Sequence, residues 1–344
     1  MAAAQASAPV RGPRASWSAW LRFGVAAALL SYLARSAAID WSAFGGFARH
    51  PVLVMAALAT LAATVVLTAV RLPVLLRAAG FDLATGPAIQ LSLIGMFFGL
   101  FLPGSASGDA AKIYYAVSSQ ARGTRAELAT VVLFDRAVGM WAMFAMPFLA
   151  APFFGTAVSS ADVFQLLLWF CGGVFVLGAV ALGGVLFAPE AWLERGRRAL
   201  AWELPWRIVR AVREFRTSLA SIARAFVISI AAHSAAITTT ALVAGAVAPD
   251  SQRAELALVV PLGFIANALP ITPGGLGVGE LAFHQLFQAV GLEGGAEVAV
   301  GWRLGVIAAA LLGGLLYVRG FRGTVRPASA DAPDLARKPG ARDD

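Results

Sequence analysis

Four ionisable residues with a suggestive spacing lie within apolar sequence. Asp109 and Glu280 each end a short Pro-Gly stretch, and an arginine follows each of them further along the chain, Arg136 and Arg303 respectively. Guanidinium groups match phosphate in a bidentate fashion. We therefore expect the two arginines to bind an anionic head group. The alternative is that they pair internally with Asp109, Asp135 or Glu280 and hold the surrounding segments in place.

The two Pro-Gly stretches resemble each other. They read Pro-Gly-Ser-Ala-Ser-Gly-Asp over 103–109 and Pro-Gly-Gly-Leu-Gly-Val-Gly-Glu over 273–280. Inside a bilayer, irregular backbone is tolerated only where it is buried in protein or lines a wet cavity. We therefore predict that both stretches are tips of helical hairpins that act as gates. The predicted hairpin and gating residues are Pro103, Gly104, Gly108, Pro270, Pro273, Gly274, Gly275, Gly277 and Gly279.

Other polar residues close to the stretches extend the predicted site. Lys112 is three residues from Asp109, and His284 is four residues from Glu280, so each pair shares a helix face. We expect Glu280 and His284 to form a hydrogen-bonded pair; with no third ligand nearby, we predict no metal site. Snorkelling to the interface is the simplest explanation for Arg71. The predicted substrate-binding residues are Arg136, Arg303, Asp109, Lys112, Glu280, Asn267, Thr272, His284 and Arg71, and no catalytic residue is assigned.

The composition indicates an integral membrane protein. Of the 344 residues, 59% are hydrophobic and 13% are charged, and the mean hydropathy is +0.75. Such values exclude an ordinary soluble domain. The net charge of +8 is explained by membrane topology, so we expect no nucleic-acid partner. The single cysteine excludes an internal disulfide, and no cofactor is expected.

Apolar runs predict an all-α integral membrane protein with about six spanning helices. A span needs roughly 20 apolar residues to cross about 30 Å of hydrocarbon. The predicted spans are 17–34, 52–76, 127–150, 163–187, 220–247 and 297–318. Two shorter runs, 87–102 and 255–270, end at the Pro-Gly stretches. We predict that they belong to re-entrant helical hairpins.

The distribution of arginine predicts the topology. Arginines concentrate in 189–224, which the positive-inside rule places in the cytoplasm together with both termini. The loops 151–162 and 291–300 contain no Lys or Arg, so we expect them outside. These positions agree only if the two hairpins enter from opposite faces. The halves 52–150 and 220–318 then form an inverted-topology repeat, an arrangement common in secondary transporters.

The domain organisation follows from these assignments. We predict a cytoplasmic segment over 1–16, a polytopic membrane domain over 17–322 and a disordered tail over 323–344. Tryptophan alternates with arginine in 189–218, which predicts an interfacial segment on the cytoplasmic leaflet. We expect a multi-pass protein of a bacterial-type plasma (inner) membrane. Whether it forms a homo-oligomer is left open.

The hairpins and their arginines resemble the lysylphosphatidylglycerol synthase transmembrane-region family, the flippase-like membrane part of the bacterial multiple peptide resistance factor. The matching stretches are 95–109, Asp135-Arg136 and 269–280, and the resemblance covers roughly 17–320. The first tip departs from the glycine-rich form of the relatives in 105–107. The resemblance implies a lipid flippase that moves an anionic phospholipid or a lipid-linked sugar between leaflets. Larger relatives carry a soluble aminoacyl-transferase domain, which we expect to be absent here.

Two other functions are compatible with these residues. An integral-membrane transferase acting on a lipid-linked substrate would use Asp109, Glu280 and His284 as acid–base groups. A permease for a small anion would use the same arginines, because a lipid phosphate and a free phosphate present the same chemistry. We expect transport rather than catalysis. The sequence contains no G-x-x-x-x-G-K-[ST] phosphate-binding loop, so transport would run downhill or be coupled to an ion or proton gradient.

Overall fold

A computed structural model describes most of the chain: residues 28, 31, 39–101, 107–118, 125–154, 162–199, 206, 209–210, 212–213, 215–251, 253–269, 271–321 and 325–327. The predicted span 17–34 lies outside these residues except for two positions, and the predicted segment 1–16 lies outside them entirely. Pro103, Gly104 and Pro270 are outside them as well.

Five helices of the described chain are long and apolar enough to cross a membrane. They are α2 (Pro51–Ala78), α5 (Arg125–Ala150), α6 (Asp162–Phe187), α8 (Leu219–Val247) and α11 (Gly295–Val318). They coincide with five of the six predicted spans. The chain is therefore a helical, multi-pass membrane protein, as the composition predicts.

The other helices are shorter. They are α1 (Gly45–Arg49), α3 (Thr85–Phe101), α4 (Ser107–Ser118), α7 (Glu190–Ala199), α9 (Leu256–Ala268) and α10 (Val278–Ala289). Single 3₁₀ turns occur at Trp41–Phe44, Ala151–Phe154, Phe215–Ser218, Pro249–Ser251 and Pro273–Gly275. The predicted apolar runs 87–102 and 255–270 correspond to α3 and α9.

One short antiparallel β-pair corrects the predicted disordered tail. Strand β1 (Phe81–Asp82), after α2, pairs with β2 (Arg326–Pro327), after α11. Val325, beside β2, is buried. The prediction of disorder from residue 323 onward is therefore wrong for 325–327, because an apolar residue and backbone hydrogen bonds anchor this stretch to the loop after α2.

Helices α3 and α4 form an antiparallel hairpin, here called hairpin 1. Gly95 faces Lys112, and Gly99 faces Gly108. A Cβ on Gly108 would lie 2.4 Å from the carbonyl oxygen of Gly95, so only glycine allows the helices to approach this closely. The hydroxyl of Ser107 donates a hydrogen bond of 2.9 Å to the carbonyl of Phe98 and closes the tip.

Helices α9 and α10 form a second antiparallel hairpin, here called hairpin 2. The ring of Phe283 packs on Gly263, where a Cβ would lie 2.3 Å from it. Nearer the tip, Gly279 lies against the side-chain amide of Asn267. Small residues thus set the spacing of both hairpins.

Helix packing follows the same pattern in the two halves of the chain. The first long helix of each half, α2 and α8, pack along one another. The first helix of hairpin 1, α3, packs on α11 of the second half, and the first helix of hairpin 2, α9, packs on α5 of the first half. Each hairpin therefore packs on the last helix of the other half.

The buried apolar residues form two main clusters at opposite ends of the long helices. In α2, Ala57 belongs to one cluster, and Leu75 belongs to the other. We call them the first and the second core cluster. The first contains Leu256 and Phe287, at the base of hairpin 2. The second contains Ala88 and Ala116, at the base of hairpin 1. The two hairpins thus start at opposite ends of the molecule.

Candidate functional site

The turn of hairpin 2 lies against the last turn of α3 in hairpin 1. In the 3₁₀ turn of hairpin 2, Gly274 has a φ of +58°, and a Cβ there would lie 3.3 Å from Cδ1 of Leu100, in the last turn of α3. Gly275 (φ +71°) and Gly277 (φ +80°) also have positive φ, which glycine adopts without strain. Three of the predicted gating glycines therefore shape the tip that touches hairpin 1.

Arg303 of α11 fastens the tip of hairpin 2. Its Nε donates to Glu280, Nη1 donates to the carbonyl of Gly274 at 2.7 Å, and Nη2 donates to Oδ1 of Asn267 at 2.9 Å. The side chains of Arg303 and Glu280 are only 8% and 1% exposed. Of the two predicted roles, internal pairing describes Arg303, because its guanidinium donors are directed at the protein.

Arg136 of α5 forms the corresponding ion pair in the first half. Its Nη1 donates to Oδ2 of Asp109, just beyond the tip of hairpin 1. The side chain of Arg136 is 39% exposed, and that of Asp109 is 12% exposed. Arg136 therefore keeps an open side toward solvent or ligand, unlike Arg303. Within the described residues, no hydrogen bond or ion pair involves Lys112, on the same helix as Asp109.

Arg71 is buried, and this corrects the snorkelling explanation. Its Nε and Nη2 donate to the two carboxylate oxygens of Asp135 at 2.6 and 3.0 Å. Its Nη1 donates to the hydroxyl of Ser229 at 2.9 Å. A Cβ on Gly139 would lie 2.5 Å from Nη1, so glycine makes room for the guanidinium. This cluster connects α2, α5 and α8.

The predicted Glu280–His284 pair does not form. Oε1 of Glu280 accepts from Arg303, and Oε2 accepts from the backbone N–H of Gly277 at 2.7 Å. No hydrogen bond between described residues joins Glu280 to His284. His284 instead lines a cavity near the end of α10. His284 does not bind Glu280 because the guanidinium of Arg303 and the N–H of Gly277 already donate to its two carboxylate oxygens.

Thr272 has an unused hydrogen-bonding group. Its side chain is buried next to the turn of hairpin 2, yet Oγ1 has no hydrogen-bond partner among the described residues. Asn267, the other predicted neutral ligand, is already bound to Arg303. Thr272 is thus the residue of the tip with free hydrogen-bonding capacity in the described chain.

Sequence reasoning missed the role of Asp135 as the partner of Arg71. The sequence predicts Asp135 only as a possible partner of Arg136 or Arg303. A usable signal was present, since Asp135 lies well inside an apolar run and needs a buried cation. The third member, Ser229, carries no such signal because serine is common in helices that span membranes.

The fold and the site define a multi-pass helical membrane protein in which the turn of one helical hairpin lies against the end of the first helix of the other. Each hairpin is joined to a long helix by an arginine–carboxylate pair. The chain belongs to the lysylphosphatidylglycerol synthase transmembrane-region family, whose profile matches residues 19–321. That family is a membrane domain associated with lipid flipping. No curated protein and no solved structure matches the chain.

Proposed function

We propose that the protein translocates an anionic lipid, either a phospholipid or a lipid-linked sugar, between the leaflets of a bacterial-type plasma membrane. The observation that carries this proposal is the contact between Gly274 and Leu100. Two hairpins that start at opposite ends of the molecule meet there, close in sequence to the charged pairs behind their tips. A head group held at such a junction would be reached alternately from each side if one half rocked against the other.

The lengths of the helices support re-entrant hairpins. Helix α9 has 13 residues, and at 1.5 Å per residue it extends about 20 Å. This is short of the roughly 30 Å of a bilayer's hydrocarbon. Helix α10 has 12 residues and is equally short. Hairpin 2 therefore fits a segment that enters the membrane, turns near its middle and leaves on the same face.

The core clusters support the proposed orientation. The second core cluster contains residues next to arginine-rich segments, namely Leu76, Leu128, Val212, Phe215 and Val325. The first core cluster contains Leu256 and Leu292, and Ala151 packs against it. These residues lie in or beside loops with few or no cations. We place the end with the second cluster in the cytoplasm, so that hairpin 1 enters from the cytoplasm and hairpin 2 from outside.

Two apolar grooves support the inverted repeat. The residues lining the two grooves include the same four positions relative to the arginine of each half. One position is two residues before the arginine, and the others are one, two and five residues after it. These are Phe134, Ala137, Val138 and Trp141 around Arg136, and Gly301, Leu304, Gly305 and Ala308 around Arg303. The proposed repeat would then include the surfaces of α5 and α11 that line these grooves.

We assign different roles to the two arginines. Arg136 is partly exposed, so it can turn from Asp109 toward a phosphate, and Lys112 supplies a second cation. Arg303 positions the tip of hairpin 2, because its Nε, Nη1 and Nη2 all donate to Glu280, Gly274 and Asn267. Thr272 adds a hydroxyl for a neutral head-group oxygen. Arg71 holds the scaffold together through Asp135.

A vesicle assay tests the proposal. The purified protein is reconstituted with a trace of fluorescently labelled phosphatidylglycerol, and dithionite then bleaches the label in the outer leaflet. We expect wild-type protein to make inner-leaflet label accessible, and Arg136→Gln or Lys112→Gln to slow this. A charge-assisted hydrogen bond contributes about 1.5–3 kcal/mol, which corresponds to roughly a tenfold or greater loss of rate.

Arg77→Gln is the matched control. It also removes one cation, but Arg77 is exposed and paired with Asp82 near β1, far along the chain from the tips. Because Arg136→Gln leaves Asp109 without a partner, Asp109→Asn/Arg136→Gln is measured as well. Unchanged lipid flux in folded Arg136→Gln and Lys112→Gln proteins would contradict the proposal.

The same vesicles separate transport from the alternatives. Influx of free phosphate without lipid movement would indicate a permease. The transferase alternative has less support, because the carboxylates of Asp109 and Glu280 are each engaged by an arginine. The geometry therefore favours movement of an anion over acid–base chemistry.

A further inference from the structure

A polar cavity lies away from the tips, where α10 ends and α11 begins. Its volume is about 260 Å³, and its lining includes His284, Gln288, Glu293 and Glu297. It belongs to the end of the molecule that contains the first core cluster, which we place outside. The substrate-binding roles assigned above leave this cavity unused.

Glu297 is the unusual residue of this cavity. It is only 6% exposed. Its Oε1 accepts a hydrogen bond of 2.6 Å from the backbone N–H of Asp40, but the buried Oε2 has no hydrogen-bond partner among the described residues. A buried carboxylate oxygen without a donor is costly. The arrangement therefore calls for a cation at Oε2.

Among the described residues, no charged group around Glu297 supplies that cation. Glu293 is acidic, and no ion pair of the described residues joins His284 to Glu297. The Asp40 side chain adds another carboxylate, whose pKa is lowered by hydrogen bonds from Ser42, so Asp40 stays ionised near neutral pH. Within the described chain, no group of three His, Cys, Asp or Glu side chains could hold a metal ion. A proton is the cation that one carboxylate oxygen can bind alone.

We propose that this cavity is a proton-binding site and that Glu297 takes up the proton. A proton from the outer aqueous phase would bind Oε2, converting the carboxylate to a neutral carboxylic acid. Glu297 is one of the residues lining the polar cavity, which is large enough to hold water, so the proton would reach the buried Oε2 by way of this cavity. His284 also lines this space.

The cavity lies between α10 and α11, the two helices that also carry the Glu280–Arg303 pair at the tip of hairpin 2. His284 is one turn from Glu280 on α10, and Glu297 is six residues before Arg303 on α11, about 9 Å along the helix. The proton would therefore act on the contact between α10 and α11 that Arg303 and Glu280 fasten. Proton binding by Glu297 does not depend on the proposed function. Only the role of the proton, which is to couple lipid movement to a proton gradient, rests on that function.

Infrared difference spectroscopy of the purified protein between low and high pH tests proton binding without a transport assay. We expect one component of the protonated-carboxyl band to titrate in the wild type, to shift in Glu297→Asp and to be missing in Glu297→Gln. Glu293→Gln, which removes an exposed carboxylate of the same cavity, is the matched control and should keep the band. Glu297→Gln retains Oε1 to accept from Asp40, so the local fold should survive.

A pH gradient across the vesicles tests the coupling. We expect the gradient to change the rate of lipid movement in the wild type but not in Glu297→Gln. Two results would overturn the proton site: absence of this component in the wild type, or its persistence in Glu297→Gln. The proposal would also be overturned if sodium, but not choline, removed the component, because the site would then bind sodium. If the band behaves as expected but no lipid moves, the proton site stands and the transport proposal fails.

Discussion

Asp135 and Arg136 are adjacent in α5, yet they form ion pairs with different elements. Asp135 binds Arg71 of α2, while Arg136 binds Asp109 at the tip of hairpin 1. Consecutive side chains on an α-helix point about 100° apart, so one helix can face the scaffold and the hairpin at once. A ligand could draw Arg136 away from Asp109 while the Arg71–Asp135 pair stays intact.

The first prediction concerns the scaffold pair. We expect Arg71→Ala to destabilise the protein by about 3–5 kcal/mol, the usual cost of leaving a buried charge without its partner. Arg136→Ala should cost less, because Arg136 is partly exposed and water can solvate the remaining charge. Unfolding of the detergent-solubilised proteins, followed by circular dichroism, measures both.

A double variant distinguishes charge from packing in this cluster. Arg71→Met/Asp135→Leu removes both charges and keeps most of the volume, so we expect it to regain much of the stability lost in Arg71→Ala. If the double variant were as unstable as the single one, packing around the guanidinium rather than the unpaired carboxylate would explain the loss.

The second prediction concerns Arg303. We expect Arg303→Lys to destabilise the protein by about 1.5–3 kcal/mol despite the retained charge. A lysine places one ammonium where Arg303 donates separately to Glu280, Gly274 and Asn267. Proteolysis at the tip of hairpin 2 should become faster. Wild-type stability and proteolysis in Arg303→Lys would show that positive charge alone holds this tip.

The third prediction concerns Gly275. We expect Gly275→Ala to cost on the order of 1–3 kcal/mol because alanine is strained at a φ of +71°. The new Cβ would also lie 2.3 Å from Oδ1 of Asn267, which is bonded to Arg303. Gly183→Ala in α6, where nothing lies within 4 Å of a Cβ, should be tolerated. Equal losses in unfolding temperature for both variants would refute this account.

The sequence predicts the long helices well because a helix that crosses the hydrocarbon of a membrane needs a continuous apolar run of about 20 residues. It also predicts the hairpins, since proline and paired glycines end α3 and α9. It fails where partners come from distant parts of the chain. Nothing local reveals that Arg71 faces Asp135, that Glu297 caps the N–H of Asp40, or that Arg326 pairs with the β1 strand. These contacts depend on how the two halves dock.

The final prediction concerns the opposite orientation of the hairpins, on which the transport mechanism depends. Single cysteines at Ala84, before hairpin 1, and at Glu293, after hairpin 2, should react with an impermeant maleimide from opposite sides of the membrane. The native Cys171 is buried and is replaced by alanine in this background. Arg326→Cys provides an internal reference because Arg326 pairs with Asp82 and must react from the same side as Ala84→Cys. If Glu293→Cys also reacted from that side, the two hairpins would enter from one face. Rocking of one half against the other would then expose both tips to the same compartment, so alternating access through this junction would be ruled out.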